Sequence, residues 1–117
     1  MQFFRKERAE SLIASRLSLI IMREVEFDGA LVTITRVEVG KKFETAKVYV
    51  SVIPNEREHE AYKKLKAMQG KLQFILYRDM NIRPMPQIAF ELDRGNENSA
   101  AVEKALLEED NNEQAAS

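Results

Sequence analysis

Residues 31–52 read LVTITRVEVGKKFETAKVYVSV, and this stretch decides the fold. Its first part, 31–39, is rich in β-branched residues, which favour a strand. The apolar positions change phase midway, which predicts a β-bulge near Thr35 or Arg36, because one extra residue moves side chains to the other face. Residues 46–52 alternate apolar and polar side chains as a half-buried strand does. The two strands are therefore predicted to form an antiparallel hairpin.

Helical patterns lie on both sides of this hairpin. Residues 5–25 repeat apolar side chains along one face of a helix, and Asp28-Gly29 supplies a turn that ends it. After Pro54-Asn55, a longer helical pattern runs to about Met80. Gly70 lies in its middle, and glycine costs about 1 kcal/mol relative to alanine inside a helix. The pattern therefore predicts a kink or a brief break there.

A third strand is predicted in QIAFELD, residues 87–93, because Ile88, Phe90 and Leu92 share one face that can lie over the core of the hairpin. The predicted order is α-β-β-α-(kink)-α-β. We therefore expect an α+β fold, with the helices on one face of a three-stranded sheet.

The C-terminal part is predicted to be a short helix followed by a tail. Ser99 can cap a helix that carries Val102 and Leu106. Residues 108–117 are polar and acidic and carry no aromatic side chain, so they are expected to be disordered. One domain over residues 1–107 with an acidic tail over 108–117 follows from this division.

Length and composition exclude several classes of protein. The 117 residues suffice for one core, and 44% hydrophobic and 32% charged residues are typical of a soluble globular domain. No apolar run approaches the roughly 18 residues of a membrane span, and the charged N-terminus lacks the pattern of a secretory signal. We expect a cytoplasmic protein that makes no membrane contact. A monomer is expected, because one core accounts for the apolar positions.

The residue types that usually carry catalysis or bind metals are sparse. The chain has no cysteine, and its single histidine, His59, stands in the charged run EREHE, which makes a poor transition-metal site. Neither a phosphate-binding G-x-x-x-x-G-K-[ST] loop nor an H-E-x-x-H motif is present. We therefore predict no catalytic residue, metal, cofactor or small-molecule substrate. An enzyme whose carboxylates come together from distant positions stays open.

Positive charge is concentrated before residue 95. Residues 1–94 carry 17 Lys+Arg against 13 Asp+Glu and the remainder 1 against 6, which together give the 18 and 19 of the whole chain. On the second helix, four basic residues recur every seven positions and so lie along nearly one line: Arg57, Lys64, Lys71 and Arg78. Such a line suits contacts with RNA phosphates, although a solvated helix face with i,i+4 ion pairs stays open.

The candidate RNA-binding residues combine this line with basic residues near it and with Gly70, where a nucleic-acid backbone could approach closely. They are Arg5, Arg8, Arg57, Lys64, Lys66, Gly70, Lys71, Arg78 and Arg83. Among the aromatic residues, Phe74, Phe90 and Tyr62 fall on or near core-facing positions and are predicted to pack. Tyr49, on the opposite strand face, is the better exposed candidate for stacking on bases.

Several strings resemble the ribosome-binding factor A family. The most specific is R83-P84-M85-P86-Q87-I88-A89-F90-E91-L92-D93, which fits that family's Arg-x-x-Pro-x-aliphatic-x-Phe-x-x-Asp ending. Met68-Gln69-Gly70 matches the family's Ala-x-Gly with the alanine changed to methionine. The resemblance covers about residues 5–107.

The resemblance implies a type II KH-like fold and a protein that is not an enzyme. It implies transient binding to the small (30S) ribosomal subunit and its 16S rRNA, in support of late maturation and especially in the cold. A KH-like module that binds other proteins, or a generic RNA-binding module unrelated to ribosome assembly, remains the alternative.

Overall fold

The computed structural model describes residues 5–94, which form two helices and a three-stranded sheet. The elements are α1 (Arg5–Glu24), β1 (Leu31–Val39), β2 (Thr45–Ile53), a 3-10 turn (Asn55–Arg57), α2 (Glu58–Met80) and β3 (Gln87–Leu92). The predicted α+β fold is confirmed. The short helix predicted from Ser99 and the tail predicted over 108–117 lie outside the described residues.

The sheet is mixed, in the order β1-β2-β3, with β1 antiparallel and β3 parallel to β2. The β1–β2 register shifts between Ile34 and Arg36, so Thr35 is the extra residue and the predicted bulge is confirmed. The Thr35 hydroxyl lies 3.2 Å from the Tyr49 carbonyl and also reaches the carboxylate of Asp93. The bulge accounts for the phase change in the sequence, because Val37 behind it is buried on the inner face.

Both helices cover the same face of the sheet, as predicted. Leu17 of α1 and Leu72 of α2 are fully buried against inward strand residues such as Val48 and Phe90, and these side chains belong to one core cluster. Burying side chains of this size contributes about 1.5–3 kcal/mol each relative to leaving them exposed. The opposite face of the sheet carries Tyr49 and other polar strand residues.

Helix α2 is continuous over 23 residues, so of the two alternatives predicted at Gly70, a kink or a brief break, the break is wrong. The flanking residues Leu65, Leu72 and Leu76 are all fully buried in the core, and their burial outweighs the cost of one glycine in a helix. The helix ends instead at Asn81, which takes a left-handed conformation with φ of 54°.

Two side chains of α2 hold the outer edge of β3. The Gln73 amide donates to the Pro86 carbonyl at 3.1 Å and accepts from the Ile88 N–H at 2.7 Å. Tyr62 donates its hydroxyl proton to the Phe90 carbonyl at 3.2 Å. Because an uncovered edge strand exposes unpaired backbone groups, these bonds stabilise the strand and fix the preceding segment, with Arg83, against α2.

Candidate nucleic-acid interface

The basic residues of α2 divide into two groups with different surroundings. Lys64 and Lys71 point toward the end of α1, where the Lys64 ammonium donates to the Glu26 carbonyl and lies 3.2 Å from the Asp28 carboxylate. Lys71 lies 3.4 Å from the Glu24 carboxylate. A third pair joins the same two helices, with Arg16 and Asp79 2.8 Å apart. We call Arg16, Lys64 and Lys71 with their acidic partners the paired seam.

The pKa of Glu24 shows the effect of the cations around it. Hydrogen bonding from Arg23, and then from Lys71, holds the pKa of the Glu24 carboxyl below its usual value. A lowered pKa means that the neighbouring cations favour the charged carboxylate. Part of the positive charge on α2 is thus matched within the protein.

Arg57, the first of the four basic residues spaced by seven, lies before α2 and not on it. Arg57 closes the 3-10 turn and forms an i,i+3 pair with Glu60 at 3.2 Å, a local ion pair of different spacing from the i,i+4 pairs that the sequence left open. Lys66 is exposed on α2, with its ammonium 5.7 Å from the centre of the Tyr62 ring.

Three predicted arginines from distant parts of the sequence meet at one cavity. Arg5 and Arg8 of α1 and Arg83, after α2, line a space of about 550 Å³ that also includes Phe43 from the β1–β2 turn. The Arg5 guanidinium lies over the Phe43 ring at 4.7 Å from its centre. We call this space the arginine cavity. It gathers positive charge at the end of the molecule where α1 begins.

A second groove adjoins the arginine cavity and shares Arg83 and Pro84 with it. We call it the open groove. It measures about 550 Å³ and is lined by Gly70, Gln73, Phe74, Tyr77, Arg83, Pro84 and Met85. Arg78 flanks the groove, with its guanidinium 5.6 Å from the centre of the Phe74 ring.

The charges at the open groove lack the acidic partners of the paired seam. Within residues 5–94, neither Arg78 nor Arg83 forms a salt bridge. The neighbouring acid Asp79 points toward Arg16 instead. Space for an added Cβ exists at Gly70, since no atom other than those of the adjoining helix backbone and the two neighbouring residues lies within 4 Å of that position. The groove is therefore positively charged and open to a ligand along α2.

Phe74 and Tyr77 are site residues that the sequence interpretation missed. Phe74 is 57% exposed, so its assignment near the core is wrong, and Tyr77 is 38% exposed. Leu72 and Leu76 occupy the inward positions, and Phe74 lies about 200° around the helix from each of them. The spacing of Gly70, Phe74 and Tyr77, at i, i+4 and i+7, marks one helix face and could have revealed them.

Phe90 and Tyr62 pack as predicted, whereas the ring of Tyr49 is covered by an arginine side chain. Phe90 is 1% exposed and packs in the core, and Tyr62 is partly buried against it. Tyr49 lies on the outer face of the sheet, where the Arg36 guanidinium covers its ring at 3.8 Å from the centre. Glu38 accepts from Arg36 at 2.7 Å and from the Tyr49 hydroxyl at 3.4 Å.

Other kinds of site find no support in the described part of the chain. Residues 5–94 contain no group of three or more His, Cys, Asp or Glu side chains that could hold a metal ion. Over the same residues, neither helix is long and apolar enough to cross a membrane.

The geometry defines a small α+β domain whose basic surface is interrupted by exposed aromatic side chains, a combination typical of nucleic-acid-binding proteins. The family model described as ribosome-binding factor A matches residues 5–106. The chain therefore belongs to the ribosome-binding factor A family.

Relatives and solved structures agree with this assignment. Ribosome-binding factor A of Caldanaerobacter subterraneus subsp. tengcongensis is 33% identical over 108 residues, covering 90% of this chain and 88% of the relative. The solution structure of a putative ribosome-binding factor A from Thermotoga maritima superposes with a TM-score of 0.63 at 27% identity, over 75% of this chain and 86% of that chain. A homology model of Thermus thermophilus ribosome-binding factor A, fitted into a cryo-electron-microscopy map of a 30S complex of that protein, has the same fold, with a TM-score of 0.64 at 23% identity over 73% of this chain and 91% of that chain.

Proposed function

We propose that this protein binds the small (30S) ribosomal subunit through its 16S rRNA and assists late maturation of that subunit without catalysing a reaction. Membership of the ribosome-binding factor A family supports this proposal, as does the Thermus thermophilus relative, of which a homology model was fitted into a map of a 30S complex. The protein acts as a cytoplasmic monomer, needs no cofactor, and matters most in the cold. Its contribution is to hold an rRNA conformation.

The observation that carries the proposal is the continuous basic surface of the arginine cavity and the open groove. Arg83 lies between the two, with Arg5 and Arg8 on one side and Arg78 on the other. Guanidinium groups bind phosphates through paired hydrogen bonds, and such contacts release counterions from RNA. We expect the surface to recognise the shape of the RNA more than its base sequence, as is usual for structured RNA.

Cosedimentation across a salt series tests the proposal. We expect the purified protein to sediment with free small subunits but not with whole ribosomes, and the bound fraction to fall steeply as salt rises. Equal binding to bulk RNA would reduce the function to generic RNA binding. No binding to either would contradict the proposal.

The maturation role requires a second measurement, in cells. Cells that lack the protein should accumulate unprocessed 16S rRNA, more strongly at low temperature, and the intact gene should restore processing. A gene in which both Arg78 and Arg83 are replaced by alanine should restore processing less well than the intact gene, because the change removes charge at the open groove and leaves the core unchanged. Normal processing in the absence of the protein would contradict the maturation role.

A protein-binding module remains the second candidate, and one observation favours it. Leu19 and Met22 on α1 are 60% and 74% exposed, and Leu31, at the edge of the sheet, is 61% exposed. Apolar side chains that cluster on a surface can mark a protein contact. Replacing Leu19 and Met22 by serine should leave small-subunit binding unchanged if RNA contacts dominate, and should abolish it if a protein contact does.

A further inference from the structure

The open groove presents an aromatic side chain that the fold does not need. Phe74 is more than half exposed on the side of α2 opposite the buried Leu72 and Leu76, and it lies outside the core cluster. A large exposed aromatic is unremarkable by itself, since apolar atoms make up much of any protein surface. Its surroundings give it meaning. It stands in a basic groove, beside a glycine whose missing side chain keeps the approach open.

Phe74 is the most freely reached of the aromatic residues that contact a cation within residues 5–94. Tyr62, with the Lys66 ammonium 5.7 Å from its ring, is partly buried and donates its hydroxyl proton to the Phe90 carbonyl. Arg36 covers Tyr49 at 3.8 Å and is itself held by Glu38, and Arg5 covers Phe43 at 4.7 Å. Arg78 lies at 5.6 Å from the Phe74 ring, near the outer limit of about 6 Å for such contacts, and has no acidic partner within residues 5–94. The Phe74 ring therefore keeps room for a flat ligand.

The chemistry of the groove selects an occupant with a flat ring and a negative charge. An aromatic face binds a nucleobase by stacking, and unpaired guanidinium groups bind the phosphate attached to it. Only an unpaired nucleotide offers its base face, because the bases of a duplex are already stacked on one another. A peptide of apolar residues would leave the charges of Arg78 and Arg83 without a counterpart.

We propose that the open groove binds an unpaired RNA nucleotide, with its base stacked on Phe74 and its phosphate held by Arg83. The inference rests on the RNA-binding function proposed above and adds a specific ligand to it. Tyr77, one turn along the same face, extends the platform toward the next base. Gly70 provides the close approach for the sugar-phosphate backbone.

Three variants and three RNA probes test the inference. Phe74→Leu removes the π-face but keeps an apolar side chain, and Arg83→Ala removes the phosphate contact. Tyr49→Leu is the control, because it replaces an aromatic residue by leucine on the opposite face of the sheet. The probes are a single-stranded oligoadenylate of about 12 nucleotides, an abasic strand with the same number of phosphates, and an RNA duplex of the same length.

For Phe74→Leu we expect binding of the oligoadenylate to weaken about 5- to 150-fold, the range for loss of one stacked base. The slope of log affinity against log salt should stay unchanged, because no phosphate contact is lost. Arg83→Ala should instead lower the magnitude of that slope by about 0.7. Tyr49→Leu should bind as the parent does, and thermal unfolding should show that all three variants fold.

Several results would overturn the inference and leave the proposed function standing. One is parent-like binding of the oligoadenylate by Phe74→Leu. Another is an equal loss on the abasic strand or the duplex, which would point to backbone contact alone. A third is unchanged RNA affinity with weaker binding to small subunits, which would assign the groove to a ribosomal protein. If the parent protein binds neither RNA nor small subunits, the proposed function itself fails.

Discussion

The paired seam and the open groove both carry positive charge on α2, but they place it in different surroundings. At the seam, Lys64 and Lys71 lie within 3.4 Å of carboxylates from the end of α1 and the turn after it. At the groove, Arg78 and Arg83 border an aromatic ring and, within residues 5–94, form no salt bridge. A cation beside a carboxylate attracts a phosphate less, because the two fields partly cancel.

The comparison teaches that a count of basic residues along a helix does not measure its capacity to bind RNA. Four basic residues do recur at intervals of seven in the sequence. The two central ones, Lys64 and Lys71, contact carboxylates of the turn after α1 and of α1 itself, whereas Arg78 remains available at the groove. The four predictions below would break or sharpen this distinction.

The largest effect is expected from removing two charges at the groove. Replacing Arg78 and Arg83 by alanine should weaken binding to small subunits on the order of 10- to 100-fold, which corresponds to about 0.7–1.4 kcal/mol for each lost contact. Replacing Lys64 and Lys71 by alanine removes the same charge and should have a smaller effect. Sedimentation binding curves at one salt concentration measure both. Equal losses of affinity in the two double variants would show that Lys64 and Lys71 also contact RNA, and that the paired seam and the open groove do not differ in RNA binding.

Gly70→Ala separates stability from binding at the groove. An added methyl group meets no atom within 4 Å outside the adjoining helix backbone and the two neighbouring residues, and alanine is favoured over glycine inside a helix, so the variant should be more stable by about 0.5–1 kcal/mol. Thermal unfolding should register this as a rise of several degrees. RNA affinity should fall if a nucleic-acid backbone approaches the glycine. A variant that is stabilised and binds as tightly as the parent would remove Gly70 from the interface.

Much of the fold could be predicted from the sequence, because local patterns encode it. The phase change around Thr35 predicted the bulge, and the alternation in β2 predicted the inward face of the hairpin. The break considered at Gly70 was wrong, since helix propensity takes no account of the burial of Leu65 and Leu72 on either side of it. Tertiary packing overrode the local preference there.

The candidate site was less accessible to prediction, because pairing between distant residues has no local signature. The sequence placed Lys64 on a basic line, but only the folded chain brings Asp28 beside it. The meeting of Arg5 with Arg83 likewise depends on the third strand folding back under α2. Phe74 could have been placed correctly, because its distance from Leu72 and Leu76 assigns it to the outer face.

A smaller effect is expected at the seam itself. A double-mutant cycle of Lys64→Ala and Asp28→Asn isolates their interaction, and asparagine suits position 28 because it tolerates the left-handed backbone found there, with φ of 52°. The pair is exposed, so its coupling energy should be roughly 0.2–1 kcal/mol and should shrink as salt rises. Denaturant unfolding of the four proteins measures it. A coupling of zero would mean that Asp28 does not hold Lys64 at the seam, which would leave the Glu26 carbonyl as its partner there.

The smallest effect concerns the protonation of Glu24. Lys71→Ala removes one of the two cations that lower the pKa of this carboxyl, so the pKa should rise toward its usual value while Arg23 keeps part of the shift. Because the folded-state pKa is lowered, the stabilisation is complete above the usual carboxyl pKa and is lost as pH falls through the lowered one. Side-chain NMR titration of Glu24 measures the change, and Lys66→Ala, at an exposed lysine that forms no salt bridge within residues 5–94, should leave the titration unaltered. If Lys71→Ala leaves the Glu24 titration where it was, Lys71 is not committed to the seam and its charge belongs with those available to RNA.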